Sequence, residues 1–343
     1  MITRRGFIKG AAALGFAGCA KAASGRHIVV YNWPYYMSPL ALREFEKKYA
    51  IRVVHELYQS GTDHELPTSL AATDQVDVVV PSQEILEMLI LKNLLRPLDK
   101  DRLPNLKNIL TPYLDQYFDR GNRYSVPYLW GTTGLGVNLG KVRNMEPTWQ
   151  LLWHPAMTGR ISLLASPSEV MAALLKMMGK SVNGASLADV VKAGAFLVEH
   201  RSQRPEFLDT PLGDLTSGKI WVAQSYSGDA LQARKVERTI GYVLPREGAL
   251  WWIDSLCIPT KAPHPEEAHL FINFLLDGEI SALLSNDLWH PNPNGASFKY
   301  TRAEVLKDRS VYPPKDLLAK CELKRPEPSV IEAFLEYWAK LKK

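Results

Sequence analysis

Beyond residue 26 the chain alternates short β-branched runs with stretches whose apolar residues recur every three or four positions. His27-Ile28-Val29-Val30-Tyr31-Asn32 reads as a buried strand. Ser38 then Pro39 reads as a helix start, with a capping hydroxyl and a proline where no N–H is needed. Leu42, Phe45 and Tyr49 share one face of that helix. Ile51 to Val54 is a second strand, and Thr62 with Glu65 spells a capping box for a short helix. Val76 to Val80 is a third strand, leading into a helix from Glu84 to Lys92. Three strand–helix units between residues 27 and 92 predict a parallel sheet with helices on its faces. In such sheets ligands bind beyond the carboxyl ends of the strands. That places Asn32-Trp33-Pro34-Tyr35-Tyr36 and Pro81-Ser82-Gln83-Glu84 on the functional rim.

The second half repeats the theme. Strands are predicted at 160–164, 220–226, 239–244 and 251–258. Helices are predicted at 168–178, at 186–201 with Ser186 as its cap, at 266–276 and at 329–342. No internal repeat or heptad run interrupts the pattern. The fold class is therefore α/β, and 343 residues suit two domains at roughly 100–200 residues each.

The first twenty residues differ. Arg4-Arg5-Gly6-Phe7-Ile8-Lys9 precedes a short glycine-containing apolar run, too short for a membrane span of roughly 20 residues. The arginine pair resembles the twin-arginine export signal. Phe16-Ala17-Gly18-Cys19 resembles a lipoprotein box, in which Cys19 takes the lipid after residues 1–18 are removed, although Phe16 stands where Leu is usual. The expectation is a periplasmic protein whose membrane contact is through a lipid anchor.

Composition narrows the function by exclusion. Hydrophobic residues at 46% and charged residues at 22% suit a folded globular chain. The net charge of +5 is spread along the sequence, and three of the positive charges belong to the export signal, so nucleic acid is not an expected partner. Three cysteines make no disulfide scaffold; besides Cys19 they are Cys257 and Cys321, whose pairing the sequence leaves undecided. The eight histidines are scattered, which argues against a metal site. No G-x-S-x-G elbow, H-E-x-x-H helix or phosphate loop occurs. His64-Glu65-Leu66-Pro67 starts like a zinc helix but runs into Pro67. Gly131-Thr132-Thr133-Gly134-Leu135-Gly136 lacks dinucleotide-loop spacing and reads as a strand passing close to a ligand or hinge. Neither an enzyme nor a cofactor is expected.

What remains is a set of aromatics beside carboxylates. Trp33, Tyr35 and Tyr36 crowd one loop. Trp252 and Asp254 are two apart on a strand and so share a face, while Trp251 and Ile253 take the other. Tyr226 and Asp229 follow another strand, and Glu169 opens a helix. Singly these have commoner roles: Trp252 in core packing, Asp254 as a turn or cap, Glu169 against its helix dipole. Jointly they suit a cationic ligand, since aromatic faces attract cations and buried carboxylates require them.

At these residues a family likeness emerges. Tyr31-Asn32-Trp33-Pro34-Tyr35-Tyr36, Asp77-Val78-Val79-Val80-Pro81-Ser82, the run from Tyr124 to Asn138, and Trp251-Trp252-Ile253-Asp254-Ser255-Leu256 occur in order. Together they resemble the spermidine/putrescine-binding proteins of bacterial ABC transporters. The resemblance extends to Tyr312-Pro313 and to the closing run from Glu336 to Lys342.

It implies a two-lobed periplasmic-binding-protein fold of type II, each lobe a mixed, mostly parallel sheet flanked by helices, with the ligand between them. The lobes would be 26–134 with 258–296, and 135–257 with 297–343. It further implies a monomer that captures a polyamine and delivers it to membrane permease subunits, closing by a hinge. Trp33, Tyr36 and Trp252 match positions that box the methylene chain, and Asp254 matches the central carboxylate. Glu169 matches a second acidic ligand, Asp229 an acidic residue of putrescine-type members, Ser82 a small polar contact, and Tyr226 a family Trp.

Departures accompany these matches. Ser166 stands where spermidine-type members carry Asp; Glu84 occupies a position that is often Tyr; His290 aligns with a Tyr. Lys324 lies where a neutral Gln is expected, and a cation there opposes one end of a long polyamine. The balance favours a diamine or other short amine. Two other roles share the resemblance: a receptor that reports polyamine to a membrane signalling partner, and the same fold binding a different solute.

Overall fold

The structure is a computed structural model describing residues 25–58, 65–144, 146–203, 205–325 and 327–341. The export signal, with Arg4, Arg5 and Cys19, lies outside them. Strands and helices alternate as β1 His27–Asn32, α1 Pro39–Tyr49, β2 Arg52–Leu57, α2 Leu66–Ala72, β3 Val78–Val79 and α3 Gln83–Leu91. Then come β4 Ser125–Asn138, β5 Ile161–Leu164, α4 Pro167–Met177, α5 Leu187–Glu199, β6 Glu206–Leu208, α6 Leu212–Thr216, β7 Val222–Tyr226, α7 Ser227–Val236 and β8 Ile240–Val243. The remainder is β9 Leu250–Cys257, α8 Pro265–Leu275, α9 Gly278–Leu288, α10 Ala303–Lys307, α11 Lys315–Leu318, β10 Glu322–Leu323 and α12 Pro328–Leu341.

Local chemistry accounts for most of these boundaries. The Ser38 hydroxyl accepts from the Leu40 and Ala41 N–H groups, and Ala50 closes α1 in the left-handed region. Ser186 and Asp189 cap each other at the start of α5. Glu65 sits at the N-cap of α2, and Thr62, its expected partner in the capping box, lies outside the described residues. One expectation needs correction. Pro67 lies in the first turn of α2, where its missing N–H costs nothing, so it starts that helix instead of breaking it.

Among the described residues all ten strands join one sheet in the order β2-β1-β3-β9-β4-β7-β5-β6, with β8 on β4 and β10 on β9. β1 pairs in parallel with β2 and β3, and β5 with β6 and β7. The centre is antiparallel: β4 runs against β9, β7 and β8. β3 is two residues long, and just before it Asp77 turns its carboxylate to the Val29 and His264 N–H groups.

Two large hydrophobic clusters flank this centre. One contains Ile28, Val30, Phe45, Val126, Leu129, Leu256, Phe271 and Ile272; the other Leu135, Val137, Trp149, Ile161, Leu174, Val222 and Phe334. β4 feeds both clusters, Val126 and Leu129 on one side and Leu135 and Val137 on the other. Among the described residues no helix is long and apolar enough to cross a membrane.

Candidate ligand-binding site

Strand ends and helix starts converge along β9. The buried Asn32 holds the first loop, accepting from the Trp33 N–H and donating to the Tyr36 carbonyl. Tyr35 adopts a left-handed φ of 58° and points outward, 68% exposed, which turns Tyr36 inward. The Tyr36 hydroxyl donates to Asp254 Oδ2 at 2.6 Å, and the Tyr128 hydroxyl donates to the Tyr36 carbonyl. Burial, then the Asp254 charge, pushes the Tyr36 phenol far up, so it stays a donor.

α3 is stitched to the same strand. Ser82 bridges Asp254, the Ser255 N–H donates to the Pro81 carbonyl, and the Ile253 N–H donates to Gln83 Oε1. His290 packs edge-on to Tyr36 with ring centroids 4.8 Å apart. Burial holds its imidazole down to about 3, so it is neutral, and its Nδ1 is buried with no hydrogen-bond partner. Gly228, at the start of α7, leaves room for that ring: a Cβ there would overlap the imidazole. Asp229, one residue on, lies close enough for its charge to act on Tyr36, and burial pushes its carboxyl up to about 6.

Trp252 sits two residues from Asp254 on the same face. Tyr226 meets it edge-on at 6.1 Å, and Gly131 of β4, paired with Trp252, leaves its indole room that a Cβ would occupy. The Trp33 and Trp252 indole Nε1 atoms are both buried without a hydrogen-bond partner. Trp33 itself packs on Tyr58 at 4.6 Å.

The remaining two predicted residues, Glu84 and Glu169, meet at a lysine. Lys324 Nζ lies 2.7 Å from Glu84 Oε1, 3.1 Å from Glu169 Oε1 and 2.9 Å from Ser168 Oγ. Gln224 on β7 aims Glu169 by donating to its backbone carbonyl. Burial pushes the Glu169 carboxyl up to about 7, and its Oε2 is buried without a hydrogen-bond partner.

Direct contacts join Asp254 with Tyr36 and Ser82, Tyr36 with His290, Trp252 with Tyr226, and Glu84 with Glu169 through Lys324; Trp33 is placed by its packing on Tyr58, and Asp229 by its position one residue after Gly228. Lys324, Tyr128, Gln224 and the spacing glycines Gly131 and Gly228 were not among the predicted site residues. Lys324 carried a sequence signal as a charge in place of a neutral residue, and Gly131 carried one as part of a glycine-rich strand; Tyr128, Gln224 and Gly228 were not singled out. Cys257 and Cys321 are both free thiols, which settles their pairing.

A family model described as bacterial extracellular solute-binding protein matches residues 41–297. The chain belongs to that family. Its fold, a mixed α/β sheet flanked by helices, is that of periplasmic solute-binding proteins. Similar to this solute-binding protein is the putrescine/cadaverine-binding protein of Pseudomonas aeruginosa, 33% identical over 341 residues, covering 95% of this chain and 96% of that one. The spermidine/putrescine-binding periplasmic protein of Escherichia coli is 30% identical over 335 residues, covering 97% and 96%. Among solved structures, the spermidine/putrescine ABC transporter substrate-binding protein of Streptococcus pneumoniae superposes with a TM-score of 0.83 at 25% identity, covering 92% of this chain and 98% of its own.

Proposed function

We propose that this solute-binding protein captures a polyamine outside the cytoplasmic membrane and hands it to the permease of an ABC importer. The Asp254–Tyr36 pair beside Trp252 carries the reading: a buried carboxylate and a cation-attracting ring on one face of one strand. Each such ring contributes roughly 0.5–2 kcal/mol to a cation, and the carboxylate supplies a charged hydrogen bond. The names of the relatives support the same ligand class.

In this reading the two hydrophobic clusters are the cores of two lobes, 26–134 with 258–296 and 135–257 with 297–343. They close on the amine by bending β4 and β9, and the closed form engages the permease. The mature protein is a monomer anchored through lipid on Cys19, and it returns its ligand chemically unchanged.

Thermal unfolding with putrescine, cadaverine, spermidine, spermine and agmatine tests the proposal. An amine at a thousand times its dissociation constant raises stability by roughly 4 kcal/mol. No shift with any of the five at millimolar concentration overturns it.

A further inference from the structure

On α7, Gly228, Gln232 and Lys235 are spaced four and then three apart, so they line one side of the helix. All three meet the carboxyl end of α9. Gln232 Nε2 donates to the Leu288 carbonyl at 2.8 Å, and Lys235 Nζ donates to the Asp287 carbonyl at 2.7 Å. Both are among the last four carbonyls of α9, which the helix itself leaves without partners. A cation is also favoured at that end of the helix dipole. Between Leu288 and His290, Trp289 ends α9 in the left-handed region, with φ 59°. It packs against Leu231, Val305 and Val311, and the Arg234 guanidinium lies 5.0 Å from its ring centre. Gly228 then leaves room for the His290 imidazole.

The two helices belong to different cores. Ala230 of α7 lies in the cluster with Leu135 and Val222, whereas Leu284 and Leu288 of α9 lie in the cluster with Ile28 and Phe271. The gripped end of α9 leads directly into the site. The Asp287 carboxylate accepts from the Ser38 hydroxyl, and Ser285 Oγ donates to the His290 carbonyl. His290 packs on Tyr36, whose hydroxyl donates to Asp254. Burial, then the Lys235 charge, keeps that imidazole neutral. Parting the two cores breaks both bonds from α7 and withdraws Trp289 from Leu231. A ligand held between the cores leaves only after that.

We propose that Gln232 and Lys235 are positioning residues that latch α7 onto the end of α9, keep His290 against Tyr36, and slow the departure of the amine without touching it. The proposal rests on the polyamine reading above. Its effect falls on the dissociation rate, because the latch closes only after the amine has entered.

Stopped-flow association and dissociation rates on the mature chain test it, in wild type, Gln232→Ala, Lys235→Met, the two together, and Lys235→Arg. The ligand is putrescine or, if another of the five amines above binds wild type more tightly, that one. Lys235 is exposed and Gln232 half-buried, so the variants keep the fold, which denaturant unfolding verifies. Each single loss is expected to speed dissociation by about fivefold, the worth of one ordinary hydrogen bond, and the pair by about tenfold or more. Association stays within about threefold throughout, and Lys235→Arg, which keeps a donor and the charge, dissociates within about twofold of wild type. A double variant that dissociates within about twofold of wild type, a loss expressed only in the association rate, or a Lys235→Arg as fast as Lys235→Met overturns the proposal while the polyamine reading stands. If wild type binds none of the five amines, that reading falls and this one with it.

Discussion

Tyr36 and Asp254 lie 218 residues apart in the sequence and are joined by a 2.6 Å hydrogen bond from the tyrosine hydroxyl to Oδ2. The tyrosine comes from the loop after the first strand and the aspartate from the long antiparallel strand at the centre of the sheet. Their pairing draws two distant segments into one acidic, aromatic spot, and the Tyr128 hydroxyl fixes the loop from behind.

Tyr36→Phe removes the donor and leaves a buried carboxylate without it. The expected loss of stability without ligand is about 1–3 kcal/mol, measured by denaturant unfolding. An unchanged midpoint means that solvent or another group satisfies Asp254 equally well.

Gly131→Ala places a methyl group where the Trp252 indole lies. Over-packing of this kind costs about 1–3 kcal/mol, and the displaced ring weakens amine binding as well. The check is a paired measurement of unfolding and amine affinity. Stability that falls while affinity holds shows that Trp252 serves packing alone.

Burial places the ionisation of Asp229 near pH 6, above its ordinary value of about 3.9. A cation requires the carboxylate, so diamine affinity is full above pH 6 and falls by up to about tenfold per unit below it. On folding the sign is opposite. The folded chain keeps a proton that the unfolded chain releases between about pH 4 and 6, so stability from this group is present below about pH 4 and lost as pH rises through 6. Dissociation constants measured between pH 5 and 8 should show the slope, and Asp229→Asn should flatten it. A slope unchanged in the variant assigns the proton elsewhere.

Much of this was legible in the chain. The period of two along β9 put Trp252 and Asp254 on one face, and Ser38-Pro39 and Ser186 marked helix starts as they stand. Glycines 131, 134 and 136 announced close approach, and each sits where a neighbour leaves no room for a Cβ. Other features depended on contacts no local pattern encodes. The run Val76 to Val80 read as a full strand, whereas β3 spans Val78–Val79, and the long-range bonds of the Asp77 carboxylate beside it had no local signal. β10 is two residues long, and only its pairing with β9 makes it a strand. Lys324 could be seen as a misplaced charge, yet its partners stand 155 and 240 positions away. Without them its sign was readable and its target was not.

The central claim is that a carboxylate on β9 holds an amine. Titration calorimetry of putrescine into wild type and Asp254→Asn, with circular dichroism confirming that both are folded, tests it most directly. The account predicts saturable one-to-one binding to wild type and a loss of about 2–5 kcal/mol, at least thirtyfold in affinity, in the variant. Equal affinity in the two folded proteins, or no binding to wild type, contradicts it.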